Sequence, residues 1–140
     1  MSSKHKTVVK AMIHDDQGRL LLVMDDGYWD LPGGNVEQGE ALTGALAREL
    51  EEELGLTDIK TESQPAIAWT MSIVLPDTTV YKLELDYVVA TDQVPKVNRD
   101  EVEDLRWFTQ KELEAYAREC DDLLKPLWEE FLSYYKDLNI

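Results

Sequence analysis

Glu49, Glu52 and Glu53 stand at i, i+3 and i+4 within Glu40 to Leu54, a proline-free stretch that predicts a helix. At ~100° per residue this spacing gathers three carboxylates on one patch. The patch lies ~110° round from Leu46, Leu50 and Leu54, the stripe that must face a core. Glu51 belongs to the same acidic run but turns away from the leucines, into solvent. Like charges at i, i+4 cost an isolated helix roughly 0.2–0.5 kcal/mol per pair, and only Arg48 is at hand to offset them. Ala41 and Ala45 sit on the same side one and two turns earlier, leaving room for something to lie along the helix. A pattern that works against local stability points to chemistry. Three converging oxygen donors suit a hard divalent cation, Mg²⁺ or Mn²⁺. Taken alone, the helix fits an ordinary acidic surface equally well.

The flanking residues favour the chemical reading. Gly33-Gly34 precedes the helix and offers a carbonyl as a further oxygen ligand. Such a turn lets backbone groups approach phosphates closely. Tyr28 and Trp29 stand just ahead of it.

Gly34, Glu40, Arg48, Glu49, Leu50, Glu52, Glu53, Gly55 and Leu56 together match a known signature. It reads Gly, five residues, Glu, seven residues, Arg-Glu, an aliphatic, any residue, Glu-Glu, any residue, Gly, an aliphatic. The lead-in Trp29, Leu31, Pro32, Gly33, Gly34 is also present. On these residues the chain resembles the Nudix hydrolases, with the box at residues 34–56 inside a single domain spanning 1–140.

The resemblance implies a metal-dependent pyrophosphohydrolase that cleaves a nucleoside diphosphate derivative or a nucleoside triphosphate. Glu49, Glu52 and Glu53 would be metal ligands, with the Gly33 carbonyl as an addition. Arg48 would orient the glutamates, and Glu40 would support the loop–helix geometry. The general base would be Glu49 or Glu53, or a carboxylate from a later segment, with Glu101 preferred there and Glu103 second. Tyr28, Trp29 and Gly34 are expected to contact substrate. Trp69, Tyr81 and Tyr87 could stack on a base or fill the core. His5 and His14 receive no role. Trp69 to Leu75 carries neither the proline nor the tyrosine that marks the family's ADP-ribose and dinucleoside-polyphosphate branches, so the substrate stays open. The alternative is a non-catalytic Nudix-like domain that senses nucleotides, although such domains carry a degraded box and this one is whole.

The elements that must position these residues follow from periodicity. Thr7 to Ile13 and Arg19 to Met24 predict a strand hairpin across the Asp15–Gly18 turn. Tyr28 to Leu31 is extended, and Gly33-Gly34 is expected to bend freely. Gly39 is the expected N-cap, Gly55 the C-terminal stop, and Glu37 and Glu40 suit the helix dipole. Ile67 to Leu75 and Thr79 to Thr91 predict two long strands, the second alternating around Tyr81, Leu83, Leu85 and Tyr87. After a polar loop from Gln93 to Asp100, Val102 to Phe108 predicts a last strand. Gln110 to Cys120 and Asp122 to Leu138 predict helices. Leu124, Leu127, Trp128, Phe131 and Tyr135 form a helical apolar stripe, either core or dimer contact, which leaves a homodimer open. Strands and helices mix without a βαβ rhythm, so the class is α+β, an α/β/α sandwich around a mixed sheet.

The chain has 140 residues and a formal net charge of −15. That length suffices for one core. The acidic balance repels phosphate backbones, so no long nucleic acid is expected as partner. No stretch approaches the ~20 apolar residues of a membrane span, and no secretory segment is visible at the start. A lone Cys120 forms no internal disulfide, which gives a cytoplasmic expectation.

Overall fold

The computed structural model describes residues 2–138 and 140. In chain order the elements are β1 (Ser2–Ile13), β2 (Leu20–Asp25), β3 (Tyr28–Asp30), β4 (Gly33–Asn35), α1 (Leu42–Leu54), β5 (Lys60–Thr61), β6 (Ile67–Val74), β7 (Thr78–Ala90), β8 (Asp104–Phe108), α2 (Gln110–Glu119) and α3 (Lys125–Lys136). The larger sheet is mixed. β1 and β7 run parallel along their whole shared length. β4 pairs antiparallel with β1, and β5 and β6 pair antiparallel with β7. A second, antiparallel sheet has the order β3-β2-β8.

Strand alternation assigns each face of the larger sheet to a different helical layer. Val9, Ala11, Ile13, Leu85, Tyr87 and Val89 pack under Leu46, Leu50 and Leu54 of α1. Met12, Ile67 and Trp69 point the other way, against α2 and α3. The stripe on α3 is core: Trp128, Phe131 and Tyr135 are buried within the chain itself. This α+β sandwich is the expected architecture. Among the described residues, no helix is long and apolar enough to cross a membrane.

Several local expectations need correction. Gly33-Gly34 is a paired strand rather than a free bend, with Gly33 opposite Lys10 and Gly34 opposite Val9. The N-cap of α1 is Ala41, without a side-chain cap, and Gly39 instead turns the preceding loop at φ 85°. Ala45 is fully buried, so it seats the helix on the core and leaves no room beside it. β1 begins five residues earlier than the β-branched run suggested, because its parallel partner β7 continues beneath it. Gly55 ends α1 as expected, in the left-handed conformation, its N–H donating to the Glu51 carbonyl.

The loop before β8 closes over that end of α1. Asn98 donates from its backbone N–H to the Glu53 carbonyl and from Nδ2 to the Glu52 carbonyl, both at 2.9 Å. These bonds satisfy helix carbonyls that would otherwise lack partners.

Candidate active site

The site lies where β4 crosses α1. β1 passes so close to β4 that a Cβ on Gly33 would stand 2.1 Å from the Val9 carbonyl oxygen. Gly33 also holds φ at 144°, a conformation side chains rarely adopt. Both features bring its backbone against α1, where its N–H donates to Glu53 Oε1 at 3.0 Å. One residue on, a Cβ on Gly34 would lie 2.6 Å from the Glu49 carboxyl. Each glycine therefore meets one glutamate of the acidic patch.

The three glutamates differ in exposure. Glu53 is buried, Glu49 largely so, and Glu52 is exposed; Glu51 is also exposed and faces away. Burial pushes Glu53 up to about 8, with help from the Glu49 and Asp25 charges and against the Gly33 amide and Lys10. Burial also raises Glu49, against the pull of Arg48.

Arg48 organises the mouth of the site. It grips Glu40 with a two-pronged contact, Nε to Oε2 at 2.8 Å and Nη2 to Oε1 at 2.9 Å. Nη1 reaches Glu49 at 3.1 Å and Glu52 at 3.4 Å, and Nη2 donates to the Asn35 carbonyl. This guanidinium holds the Glu40 carboxyl down at about 2. Glu40 also accepts the Glu37 N–H, closing the loop ahead of α1. Arg48 thus contacts Glu40, Glu49 and Glu52 at once, and Glu40 ties the loop to the helix.

Among the described residues, no three Asp, Glu, His or Cys side chains stand assembled as a metal cluster. Arg48 engages Glu49 and Glu52, while Gly33 engages Glu53. The donor set nonetheless fits a hard divalent cation. It is oxygen-only, negatively charged and partly desolvated, with Lys10 and one guanidinium as its cationic neighbours.

Glu101 is exposed on the loop that Asn98 pins to α1. Glu103 is tied elsewhere, its carboxylate accepting the Gly27 N–H at 3.2 Å. Tyr28 and Trp29 line a cleft of about 190 Å³ between the sheets and α3, and Trp69 forms another wall. Trp29 packs edge-on against Phe108. Tyr87 is core, and Tyr81 is exposed and stacked on His5. Gly34 lies under Glu49, away from that cleft.

Sequence reasoning missed Lys10, Asp30, Glu84 and Asp86. Lys10 Nζ donates to Asp30 at 3.2 Å and to the Leu31 carbonyl at 3.3 Å. Burial works to lower Lys10, but the charges of Asp30, Glu84 and Glu53 outweigh it and keep the ammonium charged. The available signal was charge at alternate positions of β1 and β7, strands otherwise reading as half-buried.

Residues 4–128 match the NUDIX domain family model. The chain is 33% identical to the nucleoside triphosphatase NudI of Escherichia coli, over 81% of this chain and 88% of that protein. It is similar to the crystal structure of a MutT protein from Methanosarcina mazei, with TM-score 0.73, 23% identity and coverage of 100% and 99% of the two chains. It is also similar to a MutT NUDIX hydrolase from Burkholderia pseudomallei, with TM-score 0.60, 29% identity and coverage of 79% and 85%.

Proposed function

Because the chain belongs to the Nudix family and is a pyrophosphate-cleaving hydrolase, we propose that it hydrolyses nucleoside triphosphates or a related nucleoside diphosphate derivative between adjacent phosphorus atoms. The observation that carries this reading is the contact of Gly33 and Gly34 with Glu53 and Glu49. It sets a close-approaching backbone beside a buried acidic patch.

Glu49, Glu52 and Glu53, with the Gly33 carbonyl, would hold Mg²⁺ or Mn²⁺. When bound, the cation draws charge from the phosphate oxygens and acidifies water. Arg48 and Glu40 hold the glutamates in register through the two-pronged contact. A carboxylate takes the proton of the attacking water, from Glu49 or Glu53 in the patch or Glu101 on the capping loop. Gly34 has no Cβ, so Glu49 can lie against β4 and the substrate phosphates can approach the backbone. Tyr28 and Trp29 line the cleft that takes the base or sugar. The half-buried Cys120 thiol suits a reducing cytoplasm.

The test is a panel of nucleoside triphosphates and nucleoside diphosphate derivatives, incubated with Mg²⁺ or Mn²⁺ and with chelator, products identified. Cleavage between adjacent phosphorus atoms that stops in chelator is expected. Cleavage of phosphomonoesters alone would overturn the reading.

A further inference from the structure

Two carboxyl side chains are buried side by side on β7, and the chemistry above uses neither. Glu84 is 7% exposed and Asp86 fully buried. They stand two residues apart and so share the sheet face turned toward α3. Trp69, across from Glu84 on β6, donates its Nε1–H to Glu84 Oε2 and to Asp86 Oδ2, each at 3.2 Å. Asp86 Oδ1 is buried with no donor from any other side chain or backbone group. The two carboxyls lie near enough to perturb each other's charge. Burial raises both groups, and the Glu84 charge raises Asp86 further. Of the two, Glu84 also lines the cleft, where its carboxyl oxygens are placed to accept a hydrogen bond.

Buried carboxyl groups are costly, and a core would ordinarily carry apolar residues here. The location explains the expense. Glu84 stands in the wall of the cleft, with Trp29, Trp69, Trp128 and Phe131 as its aromatic lining and Asp30 at its rim. Strand β3 runs from this cleft into Gly33-Gly34, and Lys10 lies within electrostatic reach of both Glu84 and Glu53. The chain thus connects the aromatic wall directly to the backbone beside the acidic patch. Resting on the pyrophosphohydrolase reading above, we propose that Glu84 accepts a hydrogen bond from a ring N–H of the substrate's base, with Asp86 as the positioning residue behind it. A carboxylate pairs with a ring N–H and repels a ring nitrogen lone pair. The cleft therefore selects lactam and imide bases, such as guanine, uracil and thymine, over adenine and cytosine.

The test compares triphosphates of all these bases, and ring-N-methylated counterparts of the lactam and imide ones, as substrates with Mg²⁺. In the wild type, methylation should raise KM by about tenfold or more while kcat changes little, because a buried acceptor is left unpaired. Glu84→Gln should raise KM for the unmethylated substrates and shrink the methylation effect. Asp86→Asn keeps a side-chain oxygen for the shared Trp69 N–H and should retain the base ranking, whereas Asp86→Leu should flatten it. Melting temperatures identify variants that fail to fold, and the wild-type methylation series decides the matter without them. Equal KM for methylated and unmethylated bases, or an unchanged ranking in a folded Glu84→Gln, would overturn the proposal. Absence of turnover on every pyrophosphate substrate would instead sink the reaction assignment itself.

Discussion

The Glu53 carboxylate on α1 accepts the Gly33 backbone N–H of β4 at 3.0 Å, joining helix to sheet at the centre of the acidic patch. A surface glutamate has no such tether. The bond fixes one carboxylate relative to the backbone that substrate phosphates would approach, and Gly34 does the same for Glu49 by steric room.

The two glycines should therefore fail in different ways. Gly33→Ala drives a Cβ into the Val9 carbonyl and strains φ. It should cost on the order of 2 kcal/mol or more, seen as a lower melting temperature. Gly34→Ala meets only the movable end of Glu49. It should fold nearly as well as the wild type yet lose about tenfold or more in kcat, since a displaced ligand is worth that much. Similar stability losses in both variants would contradict this division.

Arg48→Lys should separate charge from geometry. Lysine keeps the positive charge but cannot form the two-pronged bond to Glu40 while also reaching Glu49 and Asn35. The groups are partly exposed, so the stability change should stay within about 1 kcal/mol. The turnover rate should fall by roughly tenfold or more, as orienting partners of metal ligands do when lost. An unchanged rate would reduce Arg48 to a charge-balancing residue.

Much of the site was legible because its residues are near in sequence. One helix carries the whole acidic patch, and spacing alone separates Glu51 from Glu49, Glu52 and Glu53. The pairing of β4 with β1 was not legible, because two glycines read as flexibility until a neighbouring strand is known. Ala45 looked like free space for the same reason: the wheel gives an angle but not the depth of the core. Glu84 and Asp86 occupy the face of β7 opposite Leu85 and Tyr87, which alternation assigns to solvent. α3 and the Trp69 side chain cover that face too, and only tertiary packing reveals it.

His14 links β1 to α3 and should make stability depend on pH. Its Nε2 and the Tyr135 hydroxyl lie 2.6 Å apart, and the rings stack. Burial holds the imidazole below its ordinary value of 6.5, against the pull of Asp15. A depressed folded value means the unfolded chain binds the proton more readily. This contribution is thus fully present above about pH 6.5 and is lost as pH falls below it. Relative to His14→Gln, the wild type should lose melting temperature on going from about pH 7.5 to about pH 5.5, across the histidine range. Parallel pH curves for the two proteins would remove His14 from the account.

The central claim is that position in the patch, rather than bulk negative charge, makes a glutamate functional. Glu51 and Glu53 are two residues apart and chemically identical, one exposed and turned outward, the other 6% exposed against β4. The direct measurement is kcat at saturating Mg²⁺ for Glu51→Gln and Glu53→Gln, with melting temperature beside it. Glu51→Gln should match the wild type, with stability within about ±0.5 kcal/mol. Glu53→Gln keeps its shape and an oxygen to accept the Gly33 N–H, so it should fold. It should lose roughly a hundredfold or more in rate, because the missing charge weakens cation binding and water activation together. Equal rates in the two variants would contradict the account and leave α1 as an ordinary acidic surface.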